Sequence, residues 1–307
     1  MKKNILILGA SGQLGKFFIQ KLIENNNNVF ATDINISDSL VKKYKLKFLD
    51  ALNYDKVHKF INKYEIEEIY NFASILSAKA ERNPIKSFHL NTNCFLNIIE
   101  ASKGTGTKKI FWPSSIAVFS KESNLDLVGQ EVTMNPTTIY GASKLACEKV
   151  INYLNINKII DVRSIRFPGI VSASTPGGGT TDYVVEMLNH AKYKKKYICP
   201  LRKDLSLPMM HVNDAVDASI KLMSMPRKNI SISSSYNISS FETTPIEWKT
   251  LINEIGNELK VQFRPDFRQK IAESWPRKID DRIIRKDLNW RPMYGKIQTL
   301  RSVINKL

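Results

Sequence analysis

The sequence predicts an α/β fold: a doubly wound parallel sheet with a small C-terminal lobe. Three observations carry this. Short apolar runs alternate with helix-spaced segments through the first half of the chain. A glycine-rich turn follows the first run directly. The alternation then breaks down after Pro168, where turn residues and polar stretches take over. A length of 307 residues fits one large domain with an appendage better than two full domains.

Asn4–Leu8 is an apolar run that stops at Gly9. Gln13–Glu24 spaces Leu14, Phe17, Phe18 and Leu22 along one helical face. Val29–Thr32 reads as a second strand, Leu46–Leu49 as a third and Glu68–Phe72 as a fourth. Ile85–Ala101 is helical, with Phe88, Phe95, Ile98 and Ile99 on a common face. Lys109–Trp112 is a fifth strand, Ser143–Tyr153 a helix and Asp161–Phe167 a sixth strand. Strands joined through helices by short connections imply right-handed crossovers and a parallel sheet. Further on, Pro176-Gly177-Gly178-Gly179 marks a loop and Thr181–Ala191 a helix. Asn213–Met223 reads as a helix, Tyr236–Ile238 as a strand and Pro245–Leu259 as a helix. The expected division gives residues 1–168, with returning segments within 205–240, to the sheet domain. Residues 169–204 and 241–307 form the smaller lobe, over the edge where open α/β sheets hold their ligands.

Composition narrows the function classes. With 43% hydrophobic and 24% charged residues the chain is ordinary globular material, which excludes a disordered one. No run approaches about 18 apolar residues, which excludes a membrane-spanning helix of that kind. Ile5–Leu8 is too short for the core of a secretion signal, so the expected location is cytoplasmic. Cys94, Cys147 and Cys199 form no Cys-x-x-Cys pair and are expected to be buried, neutral thiols. The four histidines, His58, His89, His190 and His211, are isolated, and no metal is expected. The formal charge is +17, yet the lysines are spread along the chain and only Lys192–Lys196 is dense. Lysine, asparagine and isoleucine are abundant together, a bias that AT-rich codons produce. Solvated surface lysine is therefore the expectation rather than a nucleic-acid face; attraction of an anionic ligand is a secondary possibility.

Gly9-Ala10-Ser11-Gly12-Gln13-Leu14-Gly15 follows the first strand and opens the first helix. The first glycine permits a tight turn. The second lets backbone N–H groups approach a pyrophosphate, and the third lets the helix pack on the strand. That context makes the pattern a Rossmann-type dinucleotide turn. Asp33 ends the second strand, where a carboxylate bonds both hydroxyls of an adenosine ribose and repels a 2′-phosphate. No arginine follows it, so NAD is favoured over NADP.

Tyr140 and Lys144 stand at i and i+4, on one helical face. A tyrosine titrates near about 10, too high for a base at neutral pH. A neighbouring ammonium favours the phenolate and is expected to lower that value. Ser115, just past the fifth strand, can hold a reacting oxygen. Ser114 is the less favoured of the pair, with backbone capping as its expected role.

These residues resemble an extended short-chain dehydrogenase/reductase. Narrower motifs resemble the NAD-dependent short-chain L-threonine 3-dehydrogenases within that family. They are Phe111-Trp112-Pro113-Ser114-Ser115-Ile116-Ala117-Val118-Phe119, Thr137-Thr138-Ile139-Tyr140-Gly141 and Arg166-Phe167-Pro168-Gly169-Ile170. Pro176-Gly177-Gly178-Gly179-Thr180-Thr181-Asp182-Tyr183, Leu207-Pro208-Met209-Met210 and Ser274-Trp275-Pro276 follow, so the match spans nearly the whole chain.

The resemblance implies oxidation of L-threonine at C3, with Tyr140 as base, Lys144 as its electrostatic partner and Ser115 as positioner. It implies cofactor contacts at Gly9, Gly12, Gln13, Leu14, Gly15, Asp33, Ile34, Asp50, Ala51, Phe72, Ala73 and Ser74. Asn91, Pro113, Tyr140, Lys144, Phe167, Gly169 and Ile170 complete that set. Substrate contacts are implied at Ser77, Gly178, Gly179, Thr180, Asp182 and Trp275, with Ser74, Ser115 and Tyr140 shared; Ser74 and Ser77 remain alternatives. Asp182 is either the partner of the substrate ammonium or the cap of the following helix. A homodimer through Ile85–Ala101 and Tyr140–Asn155 is also implied. Two alternatives stay open: a nucleotide-sugar 4-epimerase or dehydratase on the same scaffold, and a non-catalytic NAD-sensing regulator.

Overall fold

The computed structural model describes residues 2–307. The chain runs β1 (Asn4–Leu8), α1 (Gln13–Glu24), β2 (Asn28–Asp33), α2 (Asp38–Tyr44), β3 (Lys47–Phe48), α3 (Tyr54–Lys63) and β4 (Glu68–Asn71). Next come α4 (Ser77–Ala80), α5 (Pro84–Ser102), β5 (Lys109–Ser115), α6 (Ile139–Ile156), β6 (Asp161–Phe167) and β7 (Gly169–Val171). The second half adds α7 (Tyr183–Lys192), β8 (Tyr197–Cys199), β9 (Leu207–His211), α8 (Val212–Ser224), β10 (Tyr236–Asn237) and β11 (Phe241–Thr243). It ends with α9 (Pro245–Glu254), β12 (Val261–Phe263), α10 (Phe267–Glu273), α11 (Arg282–Leu288) and α12 (Lys296–Ile304).

Seven strands form one parallel sheet in the order β10-β6-β5-β4-β1-β2-β3. Successive side chains on a strand point to opposite faces, and β1 shows the consequence. Ile5 and Ile7 enter the core under α1, α8 and α11, with Phe18, Ala215 and Ile284. Leu6 and Leu8 enter the opposite core under α3, α5 and α6, with Ile61, Phe95 and Ile151. The strand order reverses between β1 and β4, and a crevice opens above their carboxyl ends.

A third core belongs to the smaller lobe, where α7, α9 and α12 pack around Tyr183, Met187, Trp248 and Leu300. Two small sheets support it, β11-β9-β7 and β12-β8. Within 205–240, α8 and β10 join the main sheet, while β9 pairs with β7 and β11 instead.

Several boundaries differ from the sequence expectation. The fifth strand runs on to Ser115, so Pro113, Ser114 and Ser115 are strand residues. The helix expected at Ser143 begins at Ile139, because Thr138 caps it by accepting from the Gly141 N–H at 3.1 Å. That start puts Tyr140 in its first turn. The helix expected to reach Leu259 ends at Glu254. No described helix is long and apolar enough to cross a membrane.

Candidate active site

A cavity of about 640 Å³ follows the crevice from the end of β2 to the smaller lobe. Its first wall is the glycine turn. Gly9 has φ +75°, and a side chain there would place Cβ 2.6 Å from the Phe72 carbonyl carbon. Gly15 packs equally close to the Gly9 carbonyl oxygen, so it lies under the turn rather than on the cavity surface. Gly12 caps α1 without a side-chain acceptor, leaving first-turn N–H groups for an anion. The Gln13 amide donates to Ile170 O at 3.2 Å and Ser172 Oγ at 2.9 Å, tying the turn to β7.

Asp33 accepts from the Ser11 N–H at 2.9 Å through Oδ2 and from the Asn35 N–H at 2.8 Å through Oδ1. It is thus fixed at the cavity edge beside Ile34, Asp50 and Ala51. Leu14, Phe72, Ala73, Ser74, Pro113, Phe167, Gly169 and Ile170 also line the cavity. Asn91 does not. It sits behind the wall, accepting from the Ile75 N–H at 2.7 Å, and shapes the site from outside. A turn no Cβ can enter, open helix amides and an anchored carboxylate fit a dinucleotide.

At the inner end Ser115, Tyr140 and Lys144 come together. Lys144 is fully buried, and Nζ donates to the Pro113 carbonyl at 2.7 Å. It lies 4.2 Å from the Trp112 ring centroid and 5.6 Å from that of Tyr140. Burial pulls Lys144 down to about 8. Burial also pushes Tyr140 up to about 12, and a hydrogen bond with Ser115 opposes that only in part. The expectation of a phenol lowered by its lysine is therefore corrected: without further positive charge, desolvation wins. Ser114 and Ser115 also differ from expectation. Ser115 accepts from the Ala117 N–H at 3.2 Å, the capping role. Ser114 donates to Glu148 Oε1 at 2.5 Å, and Glu148 pairs with buried Arg166 at 2.8 Å.

The roof is shared between the smaller lobe and the segment that follows β4. Ser74, Ser77, Gly179, Asp182 and Trp275 line it, as do Leu76, Lys79, Gly177 and Thr181, which sequence reasoning missed. The two threonines are interchanged: Thr180 is buried away from the cavity, its hydroxyl 3.0 Å from Ser77 Oγ, and Thr181 faces it. Gly178 lies outside the lining. Asp182 makes no side-chain cap on α7 itself, but it accepts from the Gly179 N–H at the start of the single 3-10 turn Thr180–Asp182 that leads into α7, so a capping role is present one turn earlier. Its Oδ2 accepts from the Gly178 and Gly179 N–H groups, each at 2.8 Å, while burial raises its carboxyl above the usual range. The Trp275 indole N–H is buried with no acceptor among the described residues.

The arrangement has clear relatives. A partial consensus L-threonine 3-dehydrogenase superposes with a TM-score of 0.94 at 37% identity, covering 98% of each chain. The holo L-threonine dehydrogenase from Cupriavidus necator gives 0.94 at 36% identity, over 98% of this chain and 99% of its own. UDP-glucose 4-epimerase from Thermus thermophilus shares the fold, with a TM-score of 0.85 at 18% identity over 99% of this chain and 98% of its own. An uncharacterized epimerase/dehydratase of Staphylococcus aureus is 34% identical over 99% of this chain and 97% of its own. Residues 5–239 match the family described as NAD dependent epimerase/dehydratase. A match over residues 5–239, well over half of the chain, means that the chain belongs to the NAD dependent epimerase/dehydratase family and is an NAD-dependent enzyme.

Proposed function

We propose that the protein oxidises L-threonine at C3 to 2-amino-3-oxobutanoate, a step of threonine catabolism, while NAD is reduced to NADH. The observation that carries this reading is that the likeness to L-threonine 3-dehydrogenases covers 98% of the chain, the substrate lobe included. The chemistry of the inner chamber supports it. Tyr140 takes the proton of the C3 hydroxyl, and Ser115 holds that hydroxyl by a hydrogen bond. Lys144, held by the Pro113 carbonyl, keeps positive charge beside the phenol. NAD, when bound, supplies the hydride acceptor and a further positive charge next to Tyr140. Asp182 spends Oδ2 on the loop amides, and Oδ1 is the atom left for the substrate ammonium.

Residues 1–168 with 205–240 serve as the cofactor unit in this reading, and 169–204 with 241–307 as the substrate lobe. The enzyme works as a homodimer through α5 and α6, whose outer surfaces expose Ile85, Leu96, Tyr153 and Ile156. Light scattering in solution tests that.

The function test supplies NAD with L-threonine or with a UDP-hexose and follows NADH. Sustained NADH from threonine is the expected result. Epimerised sugar without net NADH would instead establish the 4-epimerase reading. NAD binding without turnover of either substrate would leave the regulator.

A further inference from the structure

Segment 76–82 joins the substrate loop to the catalytic helix, and each end of it is bonded. Toward the loop, Ser77 Oγ accepts from the Thr180 N–H at 3.0 Å and pairs with the Thr180 hydroxyl at 3.0 Å. The Lys79 N–H donates to the Gly178 carbonyl at 3.1 Å. Toward the helix, Glu81 Oε1 accepts from the Ile139 N–H at 2.9 Å and from the Tyr140 N–H at 3.3 Å. Between the two ends, Ala78 and Ala80 are buried in the lobe core, so the segment cannot slide freely.

The first turn of α6 contains no acidic residue of its own. Its amides are orphan donors in the sense that every helix start leaves unpaired N–H groups. Glu81 supplies both an acceptor and a negative charge at the positive end of the helix. The helix start has little room, because a Cβ on Gly141 would meet the Ala117 carbonyl oxygen at 2.1 Å. The seat of Tyr140 thus depends on the backbone amides that Glu81 holds.

We infer that Glu81 is a positioning residue for Tyr140, and that α4 couples seating of the Gly177–Asp182 loop to alignment of the base. This rests on the reading of Tyr140 as base in the proposed reaction. A substrate that seats the loop thereby sets the phenol, while NAD, bound on the other wall, does not depend on the strut.

Three variants and one substrate-free measurement test it. Glu81→Ala is expected to lower kcat by roughly ten- to a hundredfold with NAD affinity unchanged, since small misplacements of reacting groups cost that much. Glu81→Asp keeps the charge but withdraws it by a methylene, and is expected to lose at least half as much on a logarithmic scale. Glu81→Gln keeps the acceptor at full reach and is expected to restore kcat to within about threefold. Should Glu81→Ala fail to fold, the Asp and Gln pair decides: equal activity of the two overturns the proposal. Hydrogen exchange tests the coupling without any substrate. In Glu81→Asp the 177–182 segment, which Glu81 does not touch, is expected to exchange several-fold faster. Unchanged exchange there overturns the coupling. Wild-type inactivity on threonine would sink the substrate reading alone, since the exchange result stands apart from it.

Discussion

The cavity has two glycine-rich segments facing it, Gly9–Gly15 and Gly177–Asp182, and they are built in opposite ways. In the first, the glycines press on backbone. Cβ atoms at Gly9 and Gly15 would fall 2.6 Å from a carbonyl carbon and a carbonyl oxygen. In the second, a Cβ would meet side-chain ends at two positions, Leu76 Cδ1 at 2.9 Å for Gly177 and Asp182 Oδ1 at 3.0 Å for Gly179, while at Gly178 it would meet the Lys79 Cβ at 3.2 Å. Backbone cannot yield without moving a strand, whereas the tip of a side chain can rotate. In the proposed reaction the first segment is a fixed seat for the dinucleotide, whose pyrophosphate and adenosine ribose are the same in NAD and NADH. In the same reading the second, held by one carboxylate, adjusts to the substrate.

Tyr140 lies where the two regions meet, and its loss has the largest expected effect. Tyr140→Phe keeps the ring and removes the oxygen. Turnover is expected to fall by about 10²–10⁴-fold, the usual contribution of a general acid–base group. NAD titration should show affinity nearly unchanged. A variant retaining half the wild-type rate would remove Tyr140 from its role and leave the two regions with nothing between them.

Gly9→Ala comes next. Its φ of +75° is strained for alanine, and its Cβ has no space. An alanine at a positive φ costs more than about 1 kcal/mol in stability. Thermal unfolding should show the loss, and NAD affinity is expected to weaken by more than about tenfold as the turn is pushed off Phe72.

The legibility of the two regions differs for the same physical reason. The glycine turn and Asp33 lie within one strand–helix–strand unit, so their spacing is legible even though Gly9 packs on Phe72 and Gln13 reaches Ile170. β1 and α1 begin and end where hydrophobic spacing places them. The roof is made of contacts between distant residues: Ser77 with Thr180 and Lys79 with Gly178. Periodicity carries no information about such pairs, so Lys79 and Thr181 were invisible and Thr180 was assigned to the wrong side. α2 and α3 escaped for different reasons. α2 has no buried residue and offers no apolar face, whereas α3 carries one, with Val57, Phe60, Ile61 and Tyr64 at helical spacing, a signal that was available in the sequence. A second missed signal was available: Thr138, a good N-cap residue, stands just ahead of Tyr140 and marks the true start of α6.

Asp182→Asn probes what holds the second segment. The asparagine keeps size and an acceptor oxygen but loses the charge that strengthens bonds to Gly178 and Gly179. Loosening of the loop is expected to lower kcat/KM severalfold for every substrate. An amino-acid substrate should lose roughly a further tenfold relative to a 3-hydroxy acid lacking the ammonium. Equal losses would confine Asp182 to holding the loop and leave the ammonium to another group.

Gly177→Ala has the smallest expected effect and tests the comparison most directly. Gly177 is the better choice than Gly178, whose φ of +94° adds backbone strain to any contact. At Gly177 the new methyl group meets only Leu76 Cδ1, the far end of a half-buried side chain that can change rotamer. Turnover of L-threonine is expected to stay within about twofold of wild type, and NAD affinity to stay unchanged. The measurement is the ratio of the two alanine effects, Gly9→Ala against Gly177→Ala, on stability and on each ligand's affinity. A large ratio means that one wall is rigid and the other compliant. A Gly177→Ala variant as damaged as Gly9→Ala would mean that Leu76 cannot move. The roof would then be as fixed as the cofactor turn, and substrate would have to enter by a route that does not need the loop to give.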